Sequence, residues 1–229
     1  MHISGSGRGS SARAYLPICP DPCSLDILED YHVNCNYNDH SAPDLTVQNV
    51  IRRAEEIGLR TIAFTEHVRR TSEWIPKYLD EIKQAKTQVK VIPGFEGKIL
   101  QDGSIDCPKE YAEKYFLVAS FHTKYGDKQV WMNALKAAIA NPDVDVLGHL
   151  ASEESFDITL DEVRALARQI VANDKVVELN AKYHRPPKPW LQVFKDSGVK
   201  FHLGSDAHSL QEVGDFLKIS DLISMVDGK

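Results

Sequence analysis

The chain reads as an α/β protein whose parallel strands close into a distorted seven-stranded (β/α) barrel of the TIM-like kind. Three observations predict this. Strand-like apolar runs alternate with amphipathic helical stripes, the pattern of successive parallel βα units. Histidine or carboxylate stands where an apolar run ends, at His32, His67, Glu96, His122, His149 and the pair Asp206/His208. No glycine-rich phosphate loop marks the switch point of an open sheet. Polar groups at the C-terminal ends of many different strands meet only around the mouth of a barrel.

The elements follow in order. Residues 1–24 read as a flexible leader rich in Pro, Gly and Ser, and residues 25–229 as a single domain. Strands are expected at 27–34, 61–65, 89–95, 116–121, 144–150, 176–179 and 199–204. The stripe Val47, Val50, Ile51, Ala54, Ile57 predicts a helix stopped by Gly58. Ile75, Tyr78, Leu79 and Ile82 predict a second, capped by Thr71 or Ser72, and Ala134, Leu135, Ala138 and Ile139 a third that ends at Asn141-Pro142. Thr159 with Glu162 forms a capping box for the stripe Val163, Leu166, Ala167, Ile170, Val171. Ser209 with Glu212 forms another before the terminal helical region, while Lys182, His184, Arg185 and Lys188 fall in a proline-rich loop.

Composition narrows the function classes. A chain of 229 residues with 42% hydrophobic and 26% charged residues can bury a sizeable core. A net charge of −6 argues against a broad phosphate-backbone footprint, so an extended nucleic acid is not an expected partner. Cys19, Cys23, Cys35 and Cys107 are scattered; Cys19 and Cys23 have a chelate spacing but no second pair, so reduced thiols and a cytoplasmic location are expected. No apolar stretch reaches transmembrane length.

The strand ends carry the chemistry. Asp30, His32 and Asn34 alternate along one strand and are expected on one face, with His40 in the loop beyond. Thr65-Glu-His67, Gly94-Phe-Glu96, Ser120-Phe-His122, Gly148-His149, Glu178-Leu-Asn180 and Gly204-Ser-Asp206-Ala-His208 then follow at successive strand ends. A lone histidine at such a place is usually a hydrogen-bonded core residue. For an ordered set the reading reverses, because so many unpaired polar groups at one mouth would be costly to bury. Imidazole and carboxylate together suit Zn²⁺, Mn²⁺ or Fe²⁺ better than Ca²⁺ or Mg²⁺.

These motifs, in this order, resemble the PHP (polymerase and histidinol phosphatase) domain family from about Asp30 to Val213. The resemblance implies a metal-dependent phosphoesterase holding two to three divalent metal ions. One ion would be held by His32, Asn34, Glu96 and Asp206, a second by Glu96 as a bridge with His122 and His149, and a third by His40, His67 and His208. A hydroxide shared by two ions about 3.5–4 Å apart would attack phosphorus, with Asp206 or a histidine protonating the leaving oxygen. Glu96, Asp206 and His208 are the expected catalytic residues.

Asn34 departs from the family pattern, which has a histidine there. Three readings stand: ligation through the amide oxygen, a weakly held first metal, or a low-activity form. Glu66 and Asp30 are expected to orient ligands, Glu178 to pair ionically at its strand end, and His202 to be structural. Arg69, Lys124, Arg185 and Asn180 are the expected substrate-binding residues. The reaction expected is hydrolysis of a small phosphomonoester, as by histidinol phosphatase. A phosphodiesterase of cyclic phosphates or oligonucleotides and a non-catalytic metal-binding module are the alternatives.

Overall fold

The computed structural model describes residues 25–151 and 156–228. The expected leader, with Cys19 and Cys23, lies outside the described residues; Cys35 and Cys107 are buried free thiols. The strands are β1 (Glu29–Val33), β2 (Thr61–Val68), β3 (Lys90–Lys98), β4 (Phe116–Ser120), β5 (Val146–Leu147), β6 (Val176–Asn180) and β7 (Lys200–Gly204). They lie side by side in chain order, each parallel to the next. The ring closes through one bridge between Val33 and Ala207, a bond from Asn34 N–H to the Ala207 carbonyl at 3.2 Å, and one from Asp206 N–H to the His32 carbonyl at 2.8 Å. The result is a nearly closed (β/α) barrel, as predicted.

Two groups of side chains explain why the strands hold this arrangement. Outward-facing residues such as Val33, Ile62, Phe64 and Phe95 pack with the helices in the main core. A separate apolar cluster of Tyr31, Ala63, Ile92, Phe116, Val118 and Val146 fills the lower part of the barrel. Strand alternation then carries the same inner faces up to His67, Glu96 and His122. Apolar floor and polar mouth are two halves of one set of positions.

The first strand breaks that alternation. Between Asp30, which pairs with Ile62, and Val33, which pairs with Phe64, β1 carries one more residue than its neighbour. Asp30 therefore shares the outward parity of Ile62, whereas His32 and Asn34 lie on the inner side. The expectation that all three share one face is corrected by this inserted residue. Asp30 instead accepts hydrogen bonds from the N–H groups of Ser205 (3.0 Å), Gly214 (2.9 Å) and His32 (3.2 Å), fastening β1 to the chain beyond β7.

The helices are α1 (Val47–Glu56), α2 (Ile75–Gln84), α3 (Lys109–Ala112), α4 (Lys128–Ala140), α5 (Leu160–Ala172), α6 (Lys188–Asp196) and α7 (Ser220–Asp227). Thr46 caps α1, and the Thr159–Glu162 box opens α5 as expected. Four expectations change. Neither Thr71 nor Ser72 caps α2, which starts later, at Ile75, with Pro76 in its first turn. Asp127 caps α4 well before the predicted stripe. The Ser209–Glu212 contact forms at 3.0 Å, but it closes only a 3₁₀ turn at Leu210–Glu212, because Gly214 takes a left-handed φ of 69° just beyond. The supposed proline-rich loop holds α6: Pro189 occupies its first turn, where a missing N–H costs nothing, and Trp190, Leu191 and Phe194 are buried.

Asp30→Ala strands three backbone donors at the β1–β7 seam and is expected to cost about 3 kcal/mol or more of unfolding free energy. Urea titration checks this, and a change below about 1 kcal/mol would show that Asp30 does not seal the barrel.

Candidate metal centre

Glu96 is the hub of the mouth. Its carboxylate is fully buried at the end of β3, and histidines from four other strand ends converge on it. His122 Nε2 lies 3.0 Å and His149 Nε2 2.9 Å from Oε1; His67 Nδ1 lies 2.8 Å and His32 Nε2 3.3 Å from Oε2. Among the described residues, Glu96 Oε2 and His32 Nε2 are buried without an assigned hydrogen-bond partner. The donor atoms of His67, Glu96 and His122 all lie within 4.8 Å of one another. Buried lone pairs without donors, in a mixed nitrogen and oxygen set, fit a divalent metal of the zinc, manganese or iron type.

The charges follow from this packing. Burial pushes the Glu96 carboxyl up, but His67, His122 and His32 outweigh it and hold the group well below its ordinary range. Burial likewise disfavours charge on His32, yet Glu178, Glu96 and Asp206 raise its pKa well above the usual imidazole value. His122 moves the other way, lowered chiefly by burial.

Glu178 holds the cluster from below. Its Oε1 lies 2.6 Å from His32 Nδ1, leaving Nε2 to face the mouth. Its Oε2 accepts from the backbone N–H of His149 at 2.6 Å and from Asn180 Nδ2 at 3.0 Å. Space for this carboxylate comes from Gly204, where a Cβ would collide with Glu178 and His32; a Cβ on Gly148 would collide instead with Ser120 and Val118. His149 and Asp206 adopt positive φ values of 26° and 54°, uncommon for non-glycine residues and found where a site over-determines the backbone.

Asp206 and His208 form a second corner. Asp206 Oδ1 faces Asn34 Nδ2 at 3.3 Å, and Oδ2 accepts from Asn180 Nδ2 at 3.2 Å. Asn34 is buried, and its Oδ1 has no hydrogen-bond partner among the described residues. His208 rests on the Asp206 carbonyl, Nδ1 to O 2.9 Å, and its ring centroid is 5.6 Å from that of His67. His40 is 67% exposed, its ring 6.5 Å from His67, so it stands at the rim.

The other expected residues separate. Asn180 is buried and spent on Glu178, Asp206 and the N–H of Tyr183, so it positions these groups rather than facing the substrate. Arg185 Nε donates to the Ala151 carbonyl at 3.0 Å. Arg69 and Lys124 are exposed beside His67 and His122. His184 and Lys188 are committed to Asp221 on α7. Glu66 acts through backbone, accepting from the N–H groups of Cys35 and His67 and from the Asn38 amide. His202 stacks on Tyr31 with centroids 4.6 Å apart, inside the barrel, and burial lowers its pKa to about 4. Lys182, named in the sequence only as one of several loop cations, lies directly on His208.

Comparison with known proteins points one way. Residues 30–182 match the PHP domain. The chain is 27% identical over 221 residues to a probable phosphatase of Clostridium acetobutylicum, covering 89% of this chain and 88% of the relative. It is 28% identical over 223 residues to a probable phosphatase of Acetivibrio thermocellus, with coverage of 89% and 88%. In structure it resembles a Listeria monocytogenes protein provisionally named a histidinol phosphatase: TM-score 0.65, covering 82% of this chain and 97% of that one, at 16% identity, a likeness of fold.

The Glu178–His32 pair predicts a pH signature in the metal-free protein. Burial opposes ionisation of Glu178, but His32 and His149 outweigh it and lower its carboxyl from 4.5 to about 2. Its contribution to stability is therefore complete above pH 4.5 and is lost as pH falls through about 2. Glu178→Gln should cost about 3 kcal/mol at neutral pH, with the gap to wild type closing below pH 4.5. A gap independent of pH in denaturant titrations would contradict the assignment.

Proposed function

Because the chain belongs to the PHP domain family, a family of metal-dependent enzymes, and is a hydrolase of phosphoric esters, we propose that it is a phosphomonoesterase acting on a small phosphorylated metabolite through divalent ions gathered around Glu96. The observation that carries this reading is the convergence of His32, His67, His122 and His149 on one buried carboxylate. Two relatives that align along most of this chain, named as probable phosphatases, support it.

Divalent ions bound there supply Lewis acidity toward a phosphoryl oxygen and acidify water toward neutral pKa. The protein supplies the rest. Glu96, kept ionised by the surrounding imidazoles, would hold the ions together with His122 and His149, which meet its Oε1, and His67, which meets its Oε2. Glu178 fixes His32 with Nε2 toward the mouth. Asn34 and Asn180 hold Asp206, and the leaving oxygen takes its proton from the Asp206–His208 corner. Arg69 and Lys124 are exposed beside the mouth and receive the remainder of the substrate.

A panel of phosphomonoesters and phosphodiesters assayed with Mn²⁺, Zn²⁺ or Fe²⁺ tests this. Monoesters should turn over and chelation should abolish the rate, with restoration on adding metal back. Glu96→Gln is expected to lower kcat/KM at least about 100-fold, close to 3 kcal/mol of transition-state stabilisation. Turnover confined to diesters would replace the substrate assignment, and full activity after chelation would overturn the metal mechanism.

A further inference from the structure

The two corners of the mouth are not alike. Around Glu96 there are imidazoles and an acceptor without a donor. Around Asp206 and His208 the protein already supplies donors and a charge. Lys182 Nζ lies 2.9 Å from His208 Nδ1 and 3.1 Å from Nε2, and 3.8 Å from Asp206 Oδ1. Asn34 Nδ2 reaches the same two residues, 3.3 Å from Asp206 Oδ1 and 3.4 Å from His208 Nδ1. A divalent ion on His208 would have to displace an ammonium of the same sign, and of its other expected ligands His40 stands exposed at the rim, its ring 6.5 Å from that of His67.

The placement of Lys182 is built by its surroundings. The Ala181 N–H pairs with the Gly204 carbonyl at 2.9 Å, and Asn180 Oδ1 accepts from the Tyr183 N–H at 2.8 Å, so the backbone on both sides is tied down. The ammonium also lies 5.5 Å from the centroid of the Tyr183 ring. Its side chain is 31% exposed, leaving the charge open to the mouth.

We propose that Lys182 takes the place of a third metal ion: the centre loads a pair of divalent ions around Glu96, and the Lys182 ammonium binds the phosphoryl group at the Asp206–His208 corner. A lysine suits the role as a compact point charge for phosphate. The proposal rests on the phosphatase reading and specifies its phosphate subsite.

The test uses two readouts that need no turnover: metal content by elemental analysis after loading with excess Mn²⁺, and calorimetric binding of inorganic phosphate to the loaded protein. Wild type should retain a pair of ions per chain. Lys182→Met should keep that metal content and bind phosphate at least about tenfold more weakly, whereas Lys182→Arg should stay within about threefold of wild type. Asn34→His, at a position the resemblance gives to the first ion, should leave the count at a pair. A third ion in wild type or in Asn34→His, or phosphate affinity unchanged in Lys182→Met, would each overturn the proposal. Should Lys182→Met fail to fold, Lys182→Gln supplies the same charge removal. Failure of the phosphatase reading shows separately, as wild type that hydrolyses no ester.

Discussion

A carboxylate removed from water has to be neutralised by whatever the fold brings to it, and Glu96 is met by imidazoles from β1, β2 and the ends of β4 and β5. That requirement organises the structure. It needs parallel strands in a ring, since only then do four separate segments end at one point. It needs a second carboxylate, Glu178, to fix the His32 ring and the His149 backbone, and it needs Gly204 to leave room for Glu178. The apolar floor of Tyr31, Ile92 and Phe116 keeps this polar cluster at the mouth and gives the barrel its packed interior.

The same constraint accounts for what could be read from the sequence. His67, Glu96, His122 and His149 each end an apolar run, so the ring of strand ends was visible without any long-range information. What escaped depends on contacts across the chain. The extra residue in β1 turns Asp30 out to the seam, where it meets Ser205 at a separation of 175 positions, and nothing in the local alternation signals the switch. Helix α6 was hidden behind Pro186 and Pro187, although Pro189 in a first turn is itself a start signal. Asn180 sits at a strand end like a substrate contact, but it is buried and bonded to Glu178, Asp206 and the Tyr183 N–H. Lys182 was one cation among several until its distance to His208 separated it from His184 and Lys188, which serve Asp221.

The contrast between the Glu96 and Asp206 corners is one of charge. One gathers imidazoles around a carboxylate; at the other Asn34, Asn180 and Lys182 surround Asp206 with amide donors and an ammonium. A neutral amide at position 34 and a positive lysine at 182 act in the same direction, each reducing what the Asp206 corner offers to a metal. In a chain of net charge −6, the proposed phosphate subsite would draw on a few cations set close to the mouth rather than on a basic surface.

The central claim, that Glu96 is the hub of a divalent metal centre, is tested most directly by anomalous diffraction from crystals of the Mn²⁺- or Zn²⁺-loaded protein. The predicted result is an anomalous peak at coordination distance from a Glu96 oxygen, about 2.0–2.2 Å for zinc, with histidine nitrogens from the surrounding strand ends completing the shell. A loaded crystal whose peaks lie elsewhere, with Glu96 bonded only to histidines, would contradict it.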